Sequence, residues 1–155
     1  MAMHAWRERA VTFGTVLLVY VAVSELKQWY DDRKAQQRAE ERMAYAKQMY
    51  VGHRDGWREE DLAPYDGIDP EKPILFAAAG KVFNVWRGRD FYGKNGAYSE
   101  FSGRDATRML AKQIVSPSED DGAPLTADET DNLMSWVSFF EYKYDVVGSF
   151  AKDPH

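Results

Sequence analysis

The sequence predicts an α+β domain that follows a long N-terminal helix, and three observations lead to this prediction. Residues 27–50 contain neither Gly nor Pro and are rich in helix-forming residues. Two short apolar runs, 74–78 and 82–86, are separated by a Gly-centred turn, which predicts a β-hairpin. Thr126 and Glu129 form a capping-box pattern that opens a further helix. Short strands alternating with short helices are typical of the α+β class.

The composition limits the function classes that this chain can belong to. Its 155 residues allow one domain of about 100 residues plus an extension. A net charge of -5 without a dense basic block argues against a nucleic-acid partner, because phosphate binding depends on basic residues. The absence of cysteine excludes disulfides, iron–sulfur clusters, thiolate ligation of heme and cysteine nucleophiles.

Residues 10–26 form the most apolar stretch of the chain, with Glu25 as their one charged residue. As a helix they would extend for about 25 Å, near the lower limit for crossing a hydrocarbon core of about 30 Å. Basic residues precede the stretch, and Lys27, Trp29 and Tyr30 follow it, as at membrane interfaces. We therefore expect a transmembrane helix, with the lipid bilayer as a partner. A cleaved signal peptide and a buried core helix are the alternatives, and Ser24 begins a poor cleavage site.

The distribution of basic residues predicts an orientation for this expected span. More Lys and Arg residues follow the stretch than precede it, which places the C-terminal side in the cytosol or the mitochondrial matrix. The expected localisation is therefore a single-pass protein of the endoplasmic reticulum or the mitochondrial inner membrane.

The chain is predicted to contain five segments. These are an N-terminal tail (1–9), the transmembrane helix (10–26), a helical stalk or linker (27–56), the folded domain (57–150) and a C-terminal tail (151–155). The stalk carries apolar residues three and four positions apart, which would suit a partner helix, although a solvated connector explains them equally well. They are Met43, Ala46, Met49 and Tyr50.

Within the folded domain, the hairpin is followed by a loop rich in Gly and aromatic residues (88–103) and a helix (104–113). An acidic loop (116–124) precedes the capped helix, which we expect to present an apolar face and to end near Gly148. That face consists of Leu133, Trp136, Val137 and Phe140.

Three blocks of sequence carry a family resemblance. Residues 65–75 read YDGIDPEKPIL, residues 81–108 read KVFNVWRGRDFYGKNGAYSEFSGRDATR, and residues 142–148 read YKYDVVG. Together they resemble, over residues 57–150, the membrane-associated progesterone receptor (MAPR) branch of the cytochrome b5-like family. This resemblance implies a cytochrome b5-like heme/steroid-binding domain, in many members behind a membrane anchor.

The histidines bear on how such a domain could hold heme. Ordinary cytochrome b5 uses two axial histidines, whereas His4, His53 and His155 all lie outside the predicted domain. The resemblance implies instead that the Tyr98 phenolate ligates the iron of ferric heme b. It also implies that Tyr92 is a second pocket tyrosine and that Lys143 and Tyr144 help to hold the heme.

Tyrosine ligation is chemically coherent. A free tyrosine has a pKa of about 10, so a phenolate at neutral pH needs a neighbouring cation, and ferric iron supplies it. The alternative is that these tyrosines only pack, as most aromatic residues of small domains do. In addition, residues 94–97 (Lys-Asn-Gly-Ala) stand where the family usually has prolines, which loosens the loop before Tyr98.

No acid–base, nucleophile, phosphate-loop or zinc pattern is present in the sequence, so we do not expect an enzyme. The expected function is heme binding, with a steroid or sterol as a further ligand. The protein would then handle heme or act as an adaptor for membrane oxidoreductases of the cytochrome P450 type. The alternative is a structural accessory subunit of a larger membrane complex, such as a mitochondrial respiratory complex, with or without heme.

Overall fold

A computed structural model gives the backbone of residues 2–151 and the side chains of residues 15–151. The predicted C-terminal tail, apart from Ala151, therefore lies outside the described residues, as do the side chains of the predicted N-terminal tail. The chain divides into two compact units between Ala46 and Lys47, and each is described separately below.

The first unit consists of a single helix, α1, which spans Ala2–Gln48 and whose last two residues belong to the second unit. No Gly or Pro interrupts residues 15–48, and the helix continues over them to Gln48. Two cation–ring contacts lie on its surface, where the Arg33 guanidinium is 4.7 Å from the Trp29 ring centroid and the Lys34 ammonium is 5.9 Å from that of Tyr30.

The predicted transmembrane helix is wrong. Among the residues that the structure describes, no helix combines the length and the apolar character that a membrane span needs. The uncharged stretch of sequence lies between Arg9 and Glu25, and its 15 residues would cover only about 22 Å of a core about 30 Å thick. The predicted single-pass localisation, in the endoplasmic reticulum or the mitochondrial inner membrane, rested on that span and is corrected with it.

The second unit is built on a three-stranded antiparallel sheet in the order β1-β2-β3. Strand β1 (Leu75–Ala78) and strand β2 (Lys81–Asn84) form the predicted hairpin, in the register Leu75 to Asn84 and Ala78 to Lys81. All but one of their eight residues are buried, because both faces of the hairpin are covered.

Strand β3 (Asp145–Ser149) pairs with β2 and was not predicted. The last helix was predicted to end near Gly148, but it ends at Lys143. Two consecutive β-branched residues, Val146 and Val147, favour a strand over a helix at this point.

Gly148 occupies an irregular position where β3 pairs with β2. Its φ is +146°, and a β-carbon added there would lie 1.6 Å from the carbonyl oxygen of Arg54. The Arg54 N–H donates to the carbonyl oxygen of Val147 at 2.9 Å, so the backbone of residue 54 runs close along the edge of β3. Only glycine leaves room for this approach.

The helices of the second unit are short, except for the last. They are α2 (Glu59–Leu62), α3 (Arg89–Tyr92), α4 (Thr107–Lys112) and α5 (Ala127–Lys143). Single 3-10 turns accompany them at Ala63–Tyr65, Trp86–Gly88, Ser99–Phe101 and Pro117–Glu119.

Helix α4 begins three residues later than the predicted 104–113. The reason is that the residues before it pair with the sheet: the Ala77 N–H donates to the Arg104 carbonyl, and the Ala106 N–H donates to the Ala77 carbonyl. The Asp105 carboxylate then accepts from the Thr107 N–H at 3.0 Å and so satisfies a donor at the start of the helix.

The capping box of α5 forms as the sequence predicts. The Thr126 N–H donates to the Glu129 carboxylate at 2.7 Å, and the Glu129 N–H donates to the Thr126 hydroxyl at 3.2 Å. Of the predicted apolar face, Leu133, Val137 and Phe140 are buried, whereas Trp136 is 41% exposed.

Two clusters of buried side chains form the core on opposite faces of the sheet. The larger cluster joins β1 and β2 to α4 and α5 and includes Phe76, Phe83 and Phe140. The smaller cluster centres on Trp57, Leu62 and Val147. The larger cluster determines where the candidate site lies.

Candidate functional site

A groove of about 230 Å³ opens above the larger core cluster, between α4, α5 and the segment that follows α3. Its lining is almost entirely apolar and aromatic, with two tyrosines and one amide as polar exceptions. The lining residues are Tyr92, Tyr98, Phe101, Met109, Leu110, Gln113, Ile114, Val115, Trp136 and Phe140.

Tyr92 and Tyr98 are both predicted site residues, and the structure brings them together in this groove. Their ring centroids are 6.2 Å apart. Tyr92 ends α3 and is 6% exposed, whereas Tyr98 precedes the 3-10 turn at Ser99–Phe101 and is 40% exposed. Tyr92 therefore lies in the floor of the groove and Tyr98 at its mouth.

Backbone contacts fix the position of Tyr98 despite the absence of prolines from its loop. The Tyr98 N–H donates to the Phe91 carbonyl at 2.9 Å, and the Tyr98 ring stacks on Phe101 with centroids 5.5 Å apart. Gly96 allows this turn, because a β-carbon there would lie 2.1 Å from the Phe91 carbonyl oxygen. In this loop, which lacks the prolines usual in the family, a glycine and backbone hydrogen bonds thus fix the turn.

The environment of Tyr92 keeps its phenol protonated. Burial raises the pKa of Tyr92 well above its ordinary value, and the neighbouring hydroxyls of Tyr144 and Tyr98 raise it further. Its backbone carbonyl also accepts a hydrogen bond from the Ser102 hydroxyl at 2.8 Å. Tyr92 is therefore a neutral phenol at physiological pH.

Tyr144 lies behind Tyr92 and does not line the groove. The two ring centroids are 6.1 Å apart and nearly perpendicular, and Tyr144 is 5% exposed. Gly88 makes this packing possible, because a β-carbon there would lie 2.5 Å from the Tyr144 hydroxyl and 3.0 Å from the Tyr92 ring. Tyr144 thus supports the floor of the groove from beneath.

Lys143 does not line the groove either. Its ammonium lies 5.2 Å from the ring centroid of Phe139, 5.5 Å from that of Tyr144 and 6.0 Å from that of Phe91. Favourable cation–ring contacts of this kind restrict where a flexible lysine places its charge. Lys143 therefore carries its positive charge beside the exposed rings of Phe91 and Phe139.

One wall of the groove was missed in the sequence analysis. Met109 and Leu110 of α4 and Gln113 after it were predicted only as part of the helix 104–113, and Ile114 and Val115 lie between that helix and the predicted acidic loop. Their apolar character was visible in the sequence, but the resemblance pointed to tyrosines and gave no signal for this wall.

Ion pairs on the outer side of α4 hold the acidic loop in place. The Arg108 guanidinium donates to the Asp120 carboxylate at 2.8 Å and to the Ala123 carbonyl at 2.8 Å. The Lys112 ammonium, whose side chain is 9% exposed, lies 2.8 Å from Asp121 and 3.2 Å from Glu129. The hydrogen bond from Arg108 holds the pKa of Asp120 at about 2. The predicted acidic loop 116–124 is thus attached through these contacts to α4, which forms the groove wall.

The chain is similar in sequence to proteins of a known family. Residues 58–125 match the model of the family described as cytochrome b5-like heme/steroid binding domain. Probable steroid-binding protein 3 of Arabidopsis thaliana is 46% identical over 93 residues, which are 57% of this chain and 91% of that protein. Membrane-associated progesterone receptor component 2 of Rattus norvegicus is 41% identical over 98 residues, which cover 60% of this chain but only 45% of the rat protein.

A solved structure gives the same result for the fold. A hypothetical protein from Arabidopsis thaliana, described as having a cytochrome b5 like fold, superposes with a TM-score of 0.54 at 40% sequence identity. The match covers 66% of this chain and 96% of that protein. The predicted cytochrome b5-like α+β domain is confirmed. The matched family region ends before α5, so Phe140, Lys143 and Tyr144 lie beyond it.

Proposed function

The chain belongs to the cytochrome b5-like heme/steroid-binding family, in its membrane-associated progesterone receptor branch, and from this premise we propose that the groove holds ferric heme through the Tyr98 phenolate. The observation that carries the proposal is the position of Tyr98, which is the exposed tyrosine at the mouth of a mainly apolar groove. A steroid or sterol is the further ligand expected in the same groove.

The groove residues fit a heme chemically. Apolar and aromatic walls suit the faces of a macrocycle, and few polar groups interrupt them. The volume of about 230 Å³ is below the roughly 300–1,000 Å³ of pockets that enclose most of a drug-sized ligand. We therefore expect the groove to cover only part of a heme and to leave the remainder accessible.

The two tyrosines of the groove would have different roles. Tyr92 stays protonated because burial raises its pKa, which makes it a hydrogen-bond donor and leaves Tyr98 to provide an anionic oxygen. Bound ferric iron supplies the positive charge that stabilises a phenolate ligand, and the hard oxygen in turn favours the ferric state. Tyr144 would hold Tyr92 in place, and Lys143 would pair with a propionate.

Partial enclosure favours a protein that passes heme on over one that uses it for electron transfer. Val115 and Trp136 are exposed apolar residues of the groove lining, and with Phe139, which packs against Trp136, they could contact a protein that receives the heme. We expect this receiver to be a membrane oxidoreductase of the cytochrome P450 type. In the same proposal the protein is a binding protein or adaptor and not an enzyme.

The experiment that tests this proposal is a titration of the full chain with ferric heme, followed by absorption spectroscopy. The wild type should develop a Soret band with a high-spin ferric charge-transfer feature, and Tyr98→Phe should lose both. Tyr142→Phe is the matched control, because it removes a hydroxyl from the same helix as Phe140 at a position that is 92% exposed.

Two outcomes would count against the proposal in different ways. An unchanged spectrum in Tyr98→Phe would exclude Tyr98 as the ligand while leaving heme binding intact. A wild type without any specific band would exclude heme binding. It would then favour the alternative prediction that the domain is a scaffold subunit of a larger complex.

A further inference from the structure

The loop of residues 94–97 contains the one Asn-Gly pair of the sequence. Asn95 precedes Gly96, whereas the other two asparagines, Asn84 and Asn132, precede a valine and a leucine. Asparagine is a thermolabile residue, because its amide carbon can be attacked by the backbone nitrogen of the next residue. Glycine makes this attack easiest, since it has no β-carbon to keep the two atoms apart.

The surroundings of Asn95 leave its side chain free to react. Asn95 is exposed and lies in a tight turn, in which the Gly96 N–H donates to the Gly93 carbonyl at 2.8 Å. Within residues 15–151, whose side chains the structure describes, the Asn95 amide forms no hydrogen bond with another residue. Only the turn itself therefore opposes the approach of the Gly96 nitrogen to the amide carbon.

The other two asparagines lie in settings that prevent this reaction. Asn84 is 2% exposed, and its amide donates to the Met49 carbonyl at 2.8 Å, which fixes the side chain. Asn132 lies within α5, where the nitrogen of the next residue belongs to the hydrogen-bonded helix and cannot turn towards the side chain. Of the three asparagines, Asn95 alone combines exposure, a following glycine and a non-helical backbone.

The segment that follows Asn95 is in close contact with Phe91. A β-carbon at Gly96 would lie 2.1 Å from the Phe91 carbonyl oxygen, and the Tyr98 N–H donates to the same oxygen at 2.9 Å. The backbone between Asn95 and Tyr98 is thus fitted closely to its neighbour. A change in its length would disturb the position of Tyr98.

We propose that Asn95 is a site of spontaneous deamidation and that its isoaspartate product separates Tyr98 from Phe91. The Gly96 nitrogen attacks Cγ of Asn95, so that a C–N bond forms while the Cγ–Nδ2 bond breaks. The departing nitrogen takes the proton of the Gly96 N–H and leaves as ammonia. Water then opens the five-membered succinimide. Opening at Cγ gives aspartate, and opening at the main-chain carbonyl gives isoaspartate.

Isoaspartate changes the length of the main chain, whereas aspartate does not. In isoaspartate the chain runs through the side-chain carbons, which adds one C–C bond of about 1.5 Å before Gly96. A displacement of that size exceeds what the hydrogen bond between Tyr98 and Phe91 tolerates. Any ligand that the groove holds through Tyr98 would then be lost as the protein ages, and this last consequence alone rests on the proposed function.

The first test is to age the purified full chain in mildly alkaline buffer at body temperature and to map its peptides by mass spectrometry. We expect the Asn95 side chain to become an acid, with isoaspartate detected by an isoaspartyl methyltransferase, while Asn84 and Asn132 stay unmodified. Asn95→Gln is the matched control, because glutamine would have to close a less favourable six-membered ring. Glutamine also fits the turn, since Asn95 is not among the residues with a positive φ.

Three Asp-Gly pairs provide a comparison within the same sample. They begin at Asp55, Asp66 and Asp121 and could close the same five-membered ring. An ionised carboxylate is a poor electrophile, and hydrogen bonds lower the pKa of Asp55 and Asp121 and so keep both ionised. We expect isoaspartate to form more slowly at all three than at Asn95.

Hydrogen exchange tests the effect on Tyr98. In the isoaspartate-containing fraction, exchange of the Tyr98 N–H should be roughly three- to tenfold faster than in fresh protein, the loss of one hydrogen bond. Fresh Asn95→Asp has the new charge on a main chain of ordinary length and should keep the slow exchange. Aged Asn95→Gln should also keep it.

Two results would overturn the inference. An aged wild type without isoaspartate at residue 95 excludes the modification site. Isoaspartate at that residue with unchanged exchange of the Tyr98 N–H excludes the effect on Tyr98. Both measurements are made without heme, so the outcome of the separate Soret experiment does not affect them.

Discussion

The ring centroids of Tyr92 and Tyr98 lie 6.2 Å apart, yet Tyr92 is 6% exposed and Tyr98 is 40% exposed. Two chemically identical side chains in one groove therefore meet different dielectric environments. Burial disfavours the charged form of a phenol, so Tyr92 is the one that resists ionisation.

This difference predicts a specific alkaline instability. In the unfolded chain Tyr92 ionises near its ordinary pKa of 10.0, whereas in the folded protein its pKa is higher. Above about pH 10 the unfolded state binds fewer protons than the folded state, so the free energy of unfolding falls as the pH rises. The contribution of one such group is at most about 1.4 kcal/mol per pH unit.

Tyr92→Phe should accordingly flatten the decline in stability between pH 10 and 11.5, measured by urea unfolding at each pH. Tyr142→Phe, at a position 92% exposed, should leave the slope of the wild type unchanged. Parallel curves for the wild type and Tyr92→Phe would contradict the assignment of the raised pKa to Tyr92.

The parts of the fold that could be predicted from sequence are those with local signals. The hairpin follows from two apolar runs around a glycine turn, and the start of α5 follows from Thr126 and Glu129. Strand β3 could not be predicted this way, because its five residues gain stability from pairing with β2 rather than from local propensity. The apolar stretch in α1 gave a wrong membrane span because its length was marginal from the outset.

The candidate site likewise contains residues that the sequence could predict and residues that it could not. A sequence motif identified Tyr92 and Tyr98, which the structure places in one groove. The opposite wall, from Met109 to Val115, depends on how α4 packs against α5 and has no motif of its own. Lys143 and Tyr144 are adjacent in sequence, but one points to a surface of aromatic rings and the other into the core.

The core beneath the groove depends on one aromatic side chain. Phe140 is 1% exposed, and its ring centroid lies 5.1 Å from that of Phe76 and 5.7 Å from that of Phe83. Phe140→Ala should lower the free energy of unfolding by about 3–5 kcal/mol, because it removes the ring and leaves a cavity. Tyr142→Ala, two residues along the same helix, should change it by no more than about 0.5 kcal/mol. Denaturant unfolding of both variants measures the contrast, and similar losses would show that α5 is oriented differently.

Gly148 should be intolerant of substitution. In Gly148→Ala the new methyl group would overlap the Arg54 carbonyl, and the φ of +146° is itself unfavourable for alanine. We expect a loss of about 3 kcal/mol or more in the free energy of unfolding. Gly52→Ala is the control, since nothing lies within 4 Å of the added β-carbon and its backbone is unstrained. Near-equal midpoints in urea would indicate that the Arg54 carbonyl does not lie against β3 at Gly148.

The Arg108–Asp120 ion pair predicts an acid-dependent contribution to stability. The pKa of Asp120 is held at about 2 by Arg108, against 3.8 for an ordinary aspartate. Because the folded-state pKa is depressed, the stabilisation is present above pH 3.8 and is lost as the pH falls towards 2. Asp120→Asn should therefore melt at a lower temperature than the wild type at pH 5, and the two should converge near pH 2.

Asp131→Asn makes the same chemical change on the exposed side of α5 and should behave like the wild type throughout this range. If the ion pair also positions the groove wall, Asp120→Asn should increase hydrogen exchange in residues 114–123 at pH 5. The difference in melting temperature between the wild type and Asp120→Asn could instead stay constant from pH 5 to pH 2. That result would rule out the ion pair as the cause of the difference.

Lys143 offers a test of how the proposed heme is oriented. Its ammonium lies over the rings of Phe139 and Tyr144, outside the groove lining, and its own carbonyl accepts a hydrogen bond from Arg87 at 2.9 Å. Because the ammonium is already restrained, it loses little entropy when it pairs with a propionate. It remains solvated, however, so the ion pair with the propionate is weak. Lys143→Gln should raise the dissociation constant for ferric heme roughly two- to fivefold in a spectroscopic titration. The effect should shrink as salt is added, because exposed charges are screened.

Lys94→Gln removes the same charge from an exposed residue of the loop before Tyr98 and should have a smaller effect. Equal effects of the two substitutions would mean that heme responds to the net charge of the surface and not to a particular lysine.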